Sequence, residues 1–182
     1  MREWMRPAVF LFDVLAAIGL ALSFVSHGAT FFGSRGPLGD HAMLLHMGIF
    51  VVWVPTVLIS RPLTSEYKRR DFWQAALRGC PPWMKYMVGG FFAYAILNFI
   101  IFFVAAPRET GPNLIPVSVV RGFSGHWMAF YSAALAVLYS AGHVSYRDKA
   151  GRCLNGHAVG PLAQFCEQCG QPVAELPSDR SI

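Results

Sequence analysis

Four long apolar runs dominate the chain, at residues 8–26, 42–60, 86–106 and 127–144. Each reaches or approaches the ~20 residues that a helix, rising about 1.5 Å per residue, needs to cross a hydrocarbon core about 30 Å thick. Ionisable residues inside the runs are few, namely Asp13, His46 and His143. A segment in lipid must close its backbone hydrogen bonds within itself. The pattern therefore predicts an all-α membrane protein, a four-transmembrane-helix bundle occupying 1–150. Arg2 and Arg6 precede the first run as in a secretory signal, but the run outlasts the roughly 7 to 15 apolar residues of such signals and carries Asp13, so it reads as a retained helix.

Between the second and third runs the pattern becomes short and amphipathic. Thr64 or Ser65 can cap a helix with Glu66 in its first turn, and Gly79, Cys80, Pro81 and Pro82 would end it, which predicts an interfacial helix over about 65–78. Lys68, Arg69 and Asp71 then point to water, while Phe72, Trp73, Ala76 and Leu77 lie against the headgroups; a docking surface for a cytoplasmic partner is the alternative use. Within the spans, Ser132, Ala136 and Ser140 share one helix face, and Gly89 with Ala93 and Ala17 with Ala21 repeat the small-residue spacing that lets backbones approach. Pro55 removes the hydrogen bond to Val51 and should bend the second helix. Asn98 reads as an interhelical hydrogen-bonding residue, and Asp13 needs a partner such as His143, Arg147 or a backbone donor.

Composition agrees with this pattern, since 54% of the 182 residues are hydrophobic and only 14% charged. The placement of the charges adds orientation. With the N-terminus inside, the inside segments hold Arg2, Arg6, Arg61, Lys68, Arg69, Arg70, Arg78, Lys85, Arg147, Lys149 and Arg152, whereas the outside loops 27–41 and 107–126 hold Arg35, Arg108 and Arg121. Eleven cations against three predict that both termini are cytoplasmic. The formal charge of +5 is then a basic face drawn to the anionic bilayer surface, and nucleic acid is the weaker reading of the same charge.

The strongest chemistry follows the last span. The chain reads Cys153-Leu154-Asn155-Gly156-His157 and, from the eighth residue after His157, Phe165-Cys166-Glu167-Gln168-Cys169-Gly170. Two close pairs of nitrogen and sulfur ligands on tight turns are what a tetrahedral structural zinc site requires, and Gly156 and Gly170 suit the positive φ of such turns. So short a segment holds too little apolar material for a core, so zinc would supply the folding free energy, on the order of 10 kcal/mol, and the tail without it should be disordered. A disulfide among these cysteines is disfavoured in a reducing cytoplasm, and Cys80 is the competitor for the fourth ligand position.

At these residues the chain resembles small bacterial zinc ribbons with the pattern Cys-x-x-Gly-His, a spacer, then Phe-Cys-x-x-Cys-Gly. The resemblance implies a ribbon over 151–172 with Cys153, His157, Cys166 and Cys169 as metal ligands, Phe165 and Gly170 as scaffold, and 173–182 as a flexible end. Leu154 stands where many such ribbons carry Pro, which leaves the ligands intact and makes the first turn less rigid. These ribbons are mostly structural or protein-binding modules, so the resemblance implies no enzyme. The stretch Arg121-Gly-Phe-Ser-Gly-His-Trp-Met-Ala-Phe-Tyr is similar to one in bacterial multi-pass membrane proteins of about this size, which implies an inner-membrane location. Physically, Gly122 and Gly125 allow a tight turn into the fourth helix, and Phe123, Trp127 and Tyr131 would form an aromatic belt at the outer interface.

His46 and His126 are expected at similar depth near the outer face, with Asp40, His41 and His27 close by. They are the candidate cofactor-binding pair, for a metal, a proton or a haem, against the simpler reading of wetted interface residues and one interhelical hydrogen bond. A single deep histidine makes haem or a second metal the weaker expectation. No paired-carboxylate or nucleophile set is visible. The sequence therefore reads as a non-enzymatic membrane adaptor or accessory subunit, anchored in the bilayer and touching a protein partner or a larger membrane complex through its ribbon, alone or as an oligomer. The alternative is a small redox or ion-handling membrane protein that uses the outer histidines.

Overall fold

The computed structural model describes residues 5–64, 71–105, 115–143, 153–157, 159 and 165–173. Among these run five helices: α1 (Met5–Thr30), α2 (Leu44–Thr64), α3 (Phe72–Ala76), α4 (Pro82–Ala105) and α5 (Val117–His143), with a 3-10 turn at Gly39–His41. No strand occurs among the described residues, and one antiparallel bridge joins Phe165 to Pro172. Ser65, Glu66, Lys68, Arg69, Arg70, Arg108, Arg147, Lys149, Arg152 and the end expected to be flexible beyond Val173 lie outside the described residues.

Three helical stretches are long and apolar enough to cross a membrane, Pro7–Thr30, Leu44–Arg61 and Pro82–Val104. The fourth long helix, α5, is not among them, because Arg121, His126 and a series of serines and glycines dilute its apolar residues. It is instead the axle of the bundle. The other three long helices all pack on it, α1 most extensively, whereas α4 barely touches α1 or α2. Contacts along α5 fix the directions. Ser124 meets His27 while Tyr131 meets Gly19, and Arg121 meets Asn98 while Ala136 meets Cys80, so α1 and α4 run antiparallel to α5. Trp127 meets His46 and Phe130 meets Trp53, so α2 runs parallel to it.

The helices differ from the apolar runs at their ends. α5 begins ten residues before the fourth run, at Val117 behind Pro116, and the expected turn at Gly122 and Gly125 is helix. Those glycines admit α4 instead: a Cβ on Gly122 would lie 2.5 Å from the Phe102 ring, and one on Gly125 would lie 2.9 Å from the Asn98 amide nitrogen. Asn98 donates to the carbonyls of Arg121 (2.8 Å) and Gly122 (3.0 Å) across this approach. Thr64, expected with Ser65 as an alternative cap of the interfacial helix, still belongs to α2 and bonds the Ser60 carbonyl. Helix α2 also continues past Pro55. Of the helix expected over about 65–78, residues 65–70 lie outside the described residues and α3 covers Phe72–Ala76; its Ala75 and Ala76 are buried while Phe72 and Trp73 stay exposed. Pro82 then opens α4 at the position where a missing N–H costs nothing.

Phe123, Trp127 and Tyr131 do not form an outer belt. Trp127 and Tyr131 lie on the face of α5 turned toward α1 and α2 and are among the least exposed side chains, while Phe123 packs against Phe99 and Phe102 of α4 and His46 of α2. The Tyr131 ring lies between two helices at glycines: a Cβ on Gly19 of α1 would overlap the ring, and one on Gly48 of α2 would overlap its hydroxyl. The hydroxyl donates to the Leu45 carbonyl at 2.8 Å. The opposite face of α5 uses Ser132, Ala136 and Ser140, all fully buried, where the Gly79 N–H donates to Ser140 and the Cys80 thiol to the Ala136 carbonyl. On α1 the small residues that pack are Ala16, Gly19 and Ser23, while Ala17 and Ala21 face outward.

Candidate metal centre and the buried histidines

In the tail, two turns face each other. The Cys153 N–H donates to the His157 carbonyl (3.0 Å) and the Gly156 N–H to the Cys153 carbonyl (2.8 Å). The Cys166 N–H donates to the Gln171 carbonyl and the Gly170 N–H to the Cys166 carbonyl, both at 2.8 Å. Gly156 (φ 78°) and Gly170 (φ 69°) occupy the left-handed region that closes each turn without steric cost. These turns bring one ligand atom from each of Cys153, His157, Cys166 and Cys169 within 4.8 Å of one another.

The separations fit a tetrahedral ion. Cys153 Sγ lies 3.7 Å from Cys169 Sγ, and Cys166 Sγ lies 3.7 Å from His157 Nδ1. Sulfur ligands at ~2.3 Å from a tetrahedral centre stand about 3.8 Å apart. No disulfide forms, and all three cysteines are free thiols. Burial works against the Cys166 thiolate, but the N–H groups of Gln168 and Cys169 and the thiols of Cys169 and Cys153 outweigh it and bring its pKa down to about 6. A thiolate is the form that a metal takes. Around the cluster the buried set among the described residues is Cys153, Val159 and Cys166, whereas Leu154 and Phe165 are exposed. Cys80, the alternative ligand, is buried in the bundle and hydrogen-bonded to the Ala136 carbonyl.

His46 and His126 do meet. Their rings stack at 5.7 Å between centroids with 23° between planes, and the Trp127 indole N–H donates to His46 Nδ1 at 3.3 Å. Phe50 and Phe123 pack edge-on to His46, and Phe130 lies against His126. Among the described residues no third His, Cys, Asp or Glu joins the pair as a metal-binding group. His41 and Asp40 stay exposed, and Asp40 instead accepts from Arg35 at 2.8 Å.

His27, expected at the wetted interface, is buried, because α1 continues one turn beyond the apolar run. Its Nδ1 lies 2.6 Å from Ser124 Oγ and its Nε2 lies against the Tyr94 hydroxyl. Ser124 spends its one proton on the Arg121 carbonyl (3.0 Å), so it accepts from Nδ1–H, and Nε2 is left to accept from Tyr94. Arg121 closes the assembly: its guanidinium donates to Thr30 Oγ1 (3.3 Å) and to the Thr30 carbonyl (3.1 Å) and covers the Phe31 ring at 4.3 Å. A cation on the last carbonyls of a helix is favourable. This polar latch joins α1, α4 and α5. Replacing His27 with Ala strands the Tyr94 hydroxyl and Ser124, and the detergent-solubilised protein should lose about 1–3 kcal/mol of unfolding free energy. An unchanged thermal midpoint would show that water replaces the ring at no cost.

At the other end of the bundle, Asp13 Oδ1 is buried without a hydrogen-bond partner among the described residues, and no ion pair joins Asp13 to His143. The His143 ring instead stacks on Tyr139, with Nδ1 donating to the Tyr139 carbonyl at 2.8 Å. Comparison of the chain with family models, with curated proteins and with solved structures finds no match.

Proposed function

We propose that the protein is a four-span membrane adaptor whose C-terminal Cys3His cluster binds one zinc ion and presents a small ribbon to a protein partner. The convergence of four ligand atoms within 4.8 Å carries this reading. Three thiolates and an imidazole, at separations matching a tetrahedron, suit zinc better than the oxygen-seeking divalent ions. The fourth span is supported by α5 itself. It has 27 residues, about 40 Å of helix, long enough to cross, and its packing beside α1, a helix apolar enough to span, supports the same path for it. Its Gly122, Ser124, Gly125, Ser132 and Ser140 are buried against the other helices, where close approach and hydrogen bonds replace apolar side chains. The excess of Lys and Arg at the end carrying α3 supports both termini in the cytoplasm, and the likeness of the stretch from Arg121 to Tyr131 supports a bacterial inner membrane.

The exposed Leu154 and Phe165 beside the metal cluster support a contact role for the ribbon. Removal of residues 152–182 should leave membrane insertion intact and eliminate any protein that co-purifies with the full chain in mild detergent. An unchanged set of co-purifying proteins would sink the adaptor role and leave the ribbon only a staple.

The stacking of His46 on His126 favours a second reading, in which this pair handles a metal or protons near the outer face. Bound copper or iron in the purified protein, or a Soret band, that disappears in both His46→Ala and His126→Ala would support it. A colourless preparation containing zinc alone would count against the redox version.

A further inference from the structure

Because α4 and α2 both pack on α5 and barely touch each other, a groove of about 410 Å³ is left between them. Trp53 of α2, Gly89 and Phe92 of α4, and Ala129 and Ala133 of α5 form its walls, and Trp73 of α3 lies at one end. The lining is almost wholly apolar. Its one charged residue is Lys85, in the first turn of α4 at the end that carries α3; Lys85 is exposed and has no ion-pair partner among the described residues. Exposed Trp73 and Trp83 at the same end suit the headgroup boundary.

The dimensions select the occupant. From Lys85 to Phe92 the groove follows α4 for about 11 Å, two helical turns. A packed helix would continue through the bilayer rather than stop after two turns. A single hydrocarbon chain fits. A cation at the mouth of a groove between membrane helices adds attraction for a phosphate.

We propose that this groove binds one acyl chain of an anionic phospholipid from the leaflet at the α3 end, with the lipid phosphate on the Lys85 ammonium. The proposal rests on the membrane-spanning reading and is independent of the zinc ribbon. Glycine at position 89 keeps the groove open: a Cβ built there meets nothing within 4 Å, so a large side chain can enter the space without disturbing the bundle. Gly90 is equally unobstructed but does not line the groove, and it provides the matched control.

The test begins with the full chain in membranes. Retention in the pellet after alkaline carbonate washing is expected, and release into the supernatant would overturn the membrane reading itself. The detergent-solubilised protein is then incubated with mixed vesicles of equal dioleoylphosphatidylglycerol and dioleoylphosphatidylcholine, and bound lipid is read by native mass spectrometry. The wild type should retain one lipid with a roughly fivefold preference for the glycerol headgroup. Gly89→Phe should lose the adduct, Gly90→Phe should keep it, and Lys85→Gln should retain a lipid without the preference. Equal adducts in Gly89→Phe and Gly90→Phe would overturn the groove as the site. A dimer in place of the lipid adduct, abolished only by Gly89→Phe, would assign the groove to a second copy instead. An unchanged preference in Lys85→Gln would remove the phosphate contact.

Discussion

Cys166→Ser is expected to leave the purified protein with far less than one zinc per chain and to make the segment from Cys153 to Val173 open to protease, while the helices keep their far-UV signal. The physical reason is the small size of what surrounds the cluster. Among the described residues Cys153, Val159 and Cys166 are the buried set there, too little apolar surface to offset the conformational entropy of ordering the two turns. The metal has to supply the difference, on the order of 10 kcal/mol. Serine is the sharp substitution because it is nearly the same shape, yet its hydroxyl does not ionise near neutral pH, and Cys166 is the thiol brought down to about 6 by surrounding donors. Metal chelation of the wild type should reproduce the same protease sensitivity. Because the metal takes deprotonated ligands, occupancy should also fall as the solution is acidified. One zinc retained by Cys166→Ser would move the ligand set away from these four residues.

Tyr131→Ala is expected to have the largest effect within the bundle, about 3 kcal/mol or more of lost stability. Lipid chains are as apolar as leucine, so helices in a membrane are held together by close packing and interhelical hydrogen bonds. Tyr131 supplies both, filling the space opposite Gly19 and Gly48 and donating to the Leu45 carbonyl. Tyr131→Phe keeps the ring and should cost only about 1 kcal/mol. Gly19→Ala places a methyl group where the ring already lies and should cost about 1–3 kcal/mol. The measurement is the fraction of SDS at which helix content is lost from mixed micelles, in the order wild type, Tyr131→Phe, Gly19→Ala, Tyr131→Ala. Unfolding of Tyr131→Ala at the wild-type fraction would mean that the ring fills space without holding α1 and α2 to α5.

The latch around His27 had a legible trace, since Ser23, Ser26, His27 and Thr30 recur at the three- and four-residue spacing of one helix face and all four are buried. Ending the first helix with its apolar run at Ser26 hid it. His27 and Thr30 continue the helix because their partners, Tyr94, Ser124 and Arg121, arrive from elements 67 to 97 positions away. Nothing in local sequence announces such partners. The same reason explains why α5 starts at Val117: Arg121 and Ser124 look like loop residues until α1 supplies their acceptors and donors.

The sequence by itself determined what depends on local spacing: helices where apolar residues run for about twenty positions, and metal-ligand pairs where Cys and His recur on short glycine-containing turns. Both are set by chemistry within a few residues of chain. Tertiary structure alone decided which helix would be the axle, that Trp127 and Tyr131 would be core rather than interface, and that α2 and α4 would leave a groove between them. Those outcomes depend on which small residue of one helix faces which large side chain of another, Gly19 and Gly48 against Tyr131 or Gly122 against Phe102, and that matching is fixed only when the helices meet.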